Sequence, residues 1–72
     1  MPAFNERLRA IRKENKLTQK QTAEAIATSE QNYQRYERGS KQPTLPTLIA
    51  LADLFDVSLD YLCGRSDEPE RR

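Results

Sequence analysis

Apolar residues recur along this chain at helical spacing, and wherever the spacing lapses a capping or turn-forming residue stands in the gap. Phe4, Leu8 and Ile11 fall on one side of a helix predicted from Asn5, as its N-cap, to about Asn15. Glu6, Arg7, Arg9, Lys13 and Glu14 make up its opposite, solvent-facing side, and Leu17 then re-enters the core. Thr18 opens a second helix, and Gln21 three positions on completes a capping box, in which each side chain satisfies a backbone N–H that the first turn leaves unbonded. The buried stripe of this helix, Thr22, Ala23 and Ile26, is narrow and mostly small, so another helix can approach it closely.

Ala27, Thr28 and Ser29 form a short turn, with Ser29 as the N-cap of a third helix running from Glu30 to about Arg38. Glu30 in its first turn complements the helix dipole, and Gly39 ends it, because glycine best adopts the left-handed conformation of a helix C-cap. After a loop carrying Lys41 and Pro43, Thr44 is expected to cap a fourth helix whose first turn tolerates Pro46. Leu45, Leu48, Ile49, Leu51, Ala52, Leu54 and Phe55 make it the most apolar helix, and the expected centre of the core. Asp56-Val57 is a turn, Ser58 caps a short last helix from Leu59 to about Cys63, and Gly64 stops it. The pattern contains no strand, repeat or low-complexity segment. It predicts an all-α domain over residues 1–64, and a frayed or disordered polar tail over 65–72, RSDEPERR.

Composition narrows the function more than the fold. At 72 residues the chain is near the lower limit for a single self-supporting core. No apolar run approaches the length of a membrane span and no signal peptide is evident, so a soluble cytoplasmic protein is expected. Cys63 is the sole cysteine and histidine is absent, which excludes an intrachain disulfide and the common Cys/His metal sites. No metal, cofactor or catalytic residue is expected, since the nucleophile and base pairs of acyl-transfer enzymes have no counterpart here. Cys63 is read as a half-buried packing residue, against the alternative of a reactive or intermolecular thiol.

The net charge of +1 conceals an uneven distribution. Residues 1–41 hold nine Lys/Arg against five acids, a net +4, and residues 42–72 hold three against six, a net −3. The basic part contains the two helices around Ala27–Ser29. On the second of them, Glu30, Gln31, Asn32, Gln34 and Arg35 carry more hydrogen-bonding groups than a surface helix needs, whereas Tyr33 and Tyr36, three apart, should point inward. Arginine fits the O6/N7 edge of guanine, Gln or Asn the N6/N7 edge of adenine, and Glu can accept from cytosine N4.

Residues 4–64 resemble the phage Cro and repressor type of helix-turn-helix regulator, the xenobiotic-response-element family. The resemblance rests on several pieces together: Leu17-Thr18-Gln19, Ala23, Tyr36-Glu37-Arg38-Gly39, Pro43, the leucine-rich helix Leu45 to Phe55, and Val57-Ser58-Leu59-Asp60-Tyr61-Leu62. It implies a compact five-helix, lambda-repressor-like DNA-binding domain with the helix-turn-helix formed by helices two and three. In such motifs the second helix of the pair lies in the major groove and the first crosses the phosphate backbone. Carried over residue by residue, Gln31 and Arg35 occupy the usual base-reading positions, with Glu30, Asn32 and Gln34 beside them. Gln19 occupies a phosphate-binding position, and Lys41, Lys20 and Arg38 would add phosphate contacts, against the reading of solvated surface charges. Arg12 and Glu37 resemble a structural ion pair joining the first helix to the third.

The function implied is a sequence-specific, double-stranded-DNA-binding transcriptional regulator, a repressor or small controller protein in the cytoplasm of a bacterium or phage-infected cell, at its nucleoid. A homodimer on a two-fold operator is expected, with Val57 to Arg65 as its surface and no small-molecule effector. The alternative is a protein-interaction module, antitoxin- or adaptor-like, that keeps the fold without DNA affinity. Two positions depart from the family pattern. Ala27 stands where glycine is usual, so either the backbone there avoids positive φ or alanine carries about 1 kcal/mol of strain. Tyr33 stands where Val or Ile is usual, and its hydroxyl needs a partner, for which solvent or phosphate is the nearest candidate.

Overall fold

The computed structural model describes residues 3–70, in the order α1 (Phe4–Glu14), α2 (Gln19–Ala25), α3 (Glu30–Arg38), α4 (Leu45–Phe55) and α5 (Leu59–Leu62). No strand occurs among the described residues. Helix starts follow the local sequence closely. Thr18 and Gln21 form both halves of the capping box, Ser29 accepts the N–H of Asn32, and Ser58 accepts that of Tyr61. Two starts differ from expectation. α1 begins two residues early, with Ala3 as an N-cap that makes no side-chain bond, and Asn5 lies inside the helix with its amide group beside Gly39. Thr44 occupies the N-cap of α4, but its hydroxyl lies 3.2 Å from that of Thr47 instead of capping a backbone N–H.

All five helices end in the same way. Lys16, Ala27, Gly39, Asp56 and Gly64 have φ of 57°, 58°, 79°, 54° and 81°. In each case the next residue's N–H bonds the carbonyl five positions back: Leu17 to Arg12, Thr28 to Ala23, Ser40 to Arg35, Val57 to Ala52 and Arg65 to Asp60. These are Schellman closures, and they satisfy carbonyls that a helix end leaves unbonded. They also aim Leu17 and Val57 back toward the core, which Val57 joins and against which Leu17 packs. Ala27 therefore does sit in the left-handed region, the strained one of the two alternatives for this turn.

α2 packs on α3, α1 on α3 and α5, and α4 on α5. Leu8, Ile11, Ala23, Tyr33, Tyr36, Leu51, Ala52, Phe55, Val57 and Leu62 form the shared core, and the two tyrosine rings meet edge to face. α4 contributes only part of its apolar surface, for Leu45 is 62% and Ile49 43% exposed. Cys63 is half-buried, as a packing residue would be, and burial followed by the nearby Asp60 pushes its thiol pKa up.

One solvent-facing expectation is corrected. Arg7, assigned from its helical position to the outer side of α1, is 8% exposed, its guanidinium stacked 4.1 Å from the centre of the Tyr61 ring. Its Nη2 donates to Asp67 Oδ1 at 3.3 Å. Beyond α5, Ser58 N–H bonds the carbonyl of Pro69 at 3.0 Å, and Ser58 Oγ donates to that of Glu68 at 3.4 Å. These bonds join positions far apart in the chain, so a local reading of RSDEPERR has no access to them. Arg71 and Arg72, like Met1 and Pro2 of the lead-in, lie outside the described residues.

Candidate nucleic-acid interface

α3 is held from behind by a buried carboxylate. Glu37 is 1% exposed, and each of its oxygens has at least two polar neighbours. Oε2 accepts from Arg12 Nε and from Tyr33 Oη, both at 2.5 Å. Oε1 accepts from Arg12 Nη2 and Gln19 Nε2, both at 3.2 Å, with Arg9 Nε a further 3.7 Å away. Arg12 Nη1 meanwhile donates to the carbonyl of Leu17 at 2.9 Å. A single cluster thus ties α1, the α1–α2 connection and the start of α2 to the last turn of α3. The Arg12–Glu37 pair is the one the resemblance implied, and Tyr33 joins it. The Tyr33 hydroxyl is therefore neither in solvent nor at the surface, contrary to expectation.

Electrostatics follow from this geometry. Burial alone would raise the Glu37 pKa, but donation from Arg12, Tyr33 and Gln19 outweighs it and holds the carboxyl below its ordinary value. The hydrogen bond with Glu37 raises the Arg12 pKa, with burial acting against it. Tyr33 is pushed far up, first by burial and then by donating to Glu37, so its proton stays on the phenol at any physiological pH.

The opposite side of α3 is different in kind. Gln31 and Arg35, one helical turn apart, are exposed, and neither side chain has a hydrogen bond or ion pair to another described residue. Glu30, beside them at the helix start, is exposed as well. Gln34 is half-buried and donates through Nε2 to Gln19 Oε1 at 3.2 Å. Gln19 thereby bridges Gln34 and Glu37, keeping one amide N–H uncommitted at the start of α2. Lys20 and Arg38 are exposed, with no hydrogen-bond or ion-pair partner among the described residues.

Asn32 and Lys41 are placed differently from the other candidates. Asn32 is half-buried, its Nδ2 donating to Thr28 Oγ1 at 2.8 Å and to Tyr36 Oη at 2.9 Å. Its Oδ1 accepts from Lys41 Nζ at 2.8 Å. Thr28 had no assigned role in the sequence, and its contribution arises only because the α2 closure turns its hydroxyl toward α3.

Known proteins resemble the chain in both sequence and shape. The uncharacterised HTH-type transcriptional regulator YobD of Bacillus subtilis (strain 168) is 48% identical over 67 residues, which is 93% of this chain and 60% of that protein. The cryptic phage CTXphi transcriptional repressor RstR of Vibrio cholerae serotype O1 is 43% identical over 62 residues, 86% of this chain and 55% of that one. The chain thus spans little more than half the length of these relatives. Among solved structures, the P22 c2 repressor in complex with synthetic operator 9T aligns with a TM-score of 0.85 and 29% identity, covering 92% of this chain and 100% of that one. The helix-turn-helix family model HTH_3 matches residues 8–62, the span from the first core leucine of α1 to the last of α5, and the chain belongs to this family.

Proposed function

We propose that the chain is a DNA-binding transcriptional regulator that reads double-stranded DNA through the major groove with α3. The observation that carries this reading is the contrast across that helix: its inner edge is fully bonded, while Gln31 and Arg35 stand exposed and unbonded on a rigid mount. Groups with free donors and acceptors, held by a fixed backbone, are what base-edge recognition requires. Arg35 is assigned to a guanine O6/N7 edge and Gln31 to an adenine N6/N7 edge, with Glu30 and Gln34 flanking them. Gln19, Lys20, Arg38 and Lys41 are assigned to phosphates on either side. The P22 c2 repressor, which shares this fold, is in complex with a synthetic operator, and this supports DNA as the partner.

A single α3 spans one half-site, so the reading includes a homodimer on a two-fold operator. The α5 region is the surface assigned to it. Leu62 is buried and Tyr61 half-buried, whereas Leu59 remains 38% exposed next to Ile49. No helix among the described residues is long and apolar enough to cross a membrane. The reading places the protein in the cytoplasm at the nucleoid, and gives it neither catalysis nor a small-molecule effector.

Selection of bound sequences from random duplex DNA tests the proposal. The expected result is an enriched two-fold sequence with half-sites about one helical turn apart, whose affinity falls steeply with salt. Absence of binding at low salt would overturn it in favour of a protein-interaction module. Sedimentation as a monomer at high concentration, both free and on DNA, would overturn the dimer.

A further inference from the structure

Asn32 sits among the base-reading candidates, yet its side chain is already occupied on three sides. The orientation of its amide is fixed by chemistry. Lysine can only donate, so the atom facing Lys41 Nζ at 2.8 Å must be the carbonyl oxygen. The nitrogen then faces Thr28 Oγ1 and Tyr36 Oη, at 2.8 and 2.9 Å, either of which can accept. To read an adenine by a bidentate contact, Asn32 would have to offer both its acceptor and a donor. Doing so would release Lys41 and at least one of two partly or wholly covered hydroxyls. Gln31 breaks no bond to a described residue to do the same, and Arg35 breaks none to donate to a guanine edge.

What Asn32 connects is more informative than what it fails to reach. Thr28 lies in the closure that ends α2, Tyr36 is in the core on the next turn of α3, and Lys41 is in the α3–α4 loop. That loop is turned back along α3 by the left-handed Gly39 and by the bonds of Ser40 N–H and Oγ to the Arg35 carbonyl. The three attachments converge on one amide.

Resting on the assignment of α3 to the groove, we propose that Asn32 is a positioning residue rather than a base reader: it holds the Lys41 ammonium at a fixed place beside α3, preorganised for a phosphate flanking the groove. A lysine side chain loses substantial rotamer freedom when it is immobilised on a ligand. An acceptor already ordering it in the unbound protein removes part of that loss.

The test uses the whole chain and its selected duplex. Asn32→Ala should lower affinity about 2- to 10-fold, by a similar factor on the parent operator and on single-base variants of it. In a Lys41→Ala background, the same substitution should change affinity by less than about twofold, because the lysine it served is gone. Lys41→Ala should reduce the slope of log K against log salt by about 0.9. Tyr36→Phe, which removes one Asn32 contact and leaves Lys41 in place, should leave that slope unchanged and so separates positioning from a general loss of packing. In the unbound protein, NMR of the Lys41 side chain should show order that Asn32→Ala abolishes.

The proposal is overturned if Asn32→Ala relaxes discrimination at one adenine while leaving other positions intact, or if its loss and that of Lys41→Ala multiply. It is also overturned if the Lys41 side chain is equally mobile with and without Asn32. Failure of the parent chain to bind any duplex would instead overturn the groove assignment, with the NMR comparison still deciding whether Asn32 orders Lys41.

Discussion

The two edges of α3 both carry hydrogen-bonding groups and do opposite things with them. On the inner edge Tyr33, Tyr36 and Glu37 have their polar atoms bonded within the protein. On the outer edge Gln31 and Arg35 have none of theirs bonded to another described side chain. Burial accounts for the difference. A buried polar group without a partner is costly, so the inner edge must be complete before the helix can sit there at all. The outer edge meets water, which satisfies it without fixing it and leaves it available. One helix can therefore serve as a structural strut and a reading surface, and substitutions on its two edges should separate stability from recognition.

The largest expected effect lies on the inner edge. Arg12→Ala leaves Glu37 buried without its main partner, and by the usual cost of breaking such a pair should destabilise the fold by about 3–5 kcal/mol in chemical denaturation. That is a large part of the stability of a domain this small, so partial unfolding at room temperature is expected. A loss below about 1 kcal/mol would mean that Arg9 or water replaces the pair.

On the outer edge, Arg35→Ala should leave the denaturation midpoint within about 0.5 kcal/mol of the parent while reducing discrimination between operator and altered duplex by about 1–3 kcal/mol. An equal loss on every sequence would reassign Arg35 to the phosphates. Tyr33→Phe returns the comparison to the inner edge: removing one donor from a buried carboxylate should cost about 1–2 kcal/mol of stability and leave base discrimination unchanged.

Acid provides a graded version of the same test. The folded-state pKa of Glu37 lies below its ordinary value of 4.5, so on acidification the unfolded chain takes up the proton first. The stability Glu37 contributes is present in full above about pH 4.5 and is lost as pH falls through the lower, folded value. Denaturation curves of the parent and of Glu37→Gln should show that the variant lacks this part of the acid dependence. Parallel curves would locate the acid sensitivity in other carboxylates. The smallest effect belongs to the turn between the edges' two supports. Ala27→Gly should stabilise by up to about 1 kcal/mol, because glycine meets no Cβ penalty at φ 58° although it gains freedom in the unfolded chain.

Helix starts were legible because capping acts within four residues: Thr18 with Gln21, and Ser29 and Ser58 alone, carry their own hydrogen-bonding partners in sequence. Helix ends were placed by the lapse of the apolar pattern, but their left-handed closure was announced only where glycine stood. Lys16, Ala27 and Asp56 adopt the same left-handed conformation without the residue that announces it. Tertiary packing holds them there, and Leu17 and Val57, which follow two of them, are drawn into the core as a result.

The sequence by itself determined the five helices, the inward tyrosines and the polar set from Glu30 to Arg35, since periodicity and local capping are properties of neighbouring residues, while the family resemblance singled out Gln31 and Arg35. The tertiary structure alone decided the rest. It turned Tyr33 to Glu37, buried Arg7 against Tyr61, brought the Pro69 carbonyl to Ser58, and gave Asn32 to Lys41 instead of leaving it free. In each of these cases the sequence specifies a polar group and its reach, but the partner is chosen by which elements the core brings side by side.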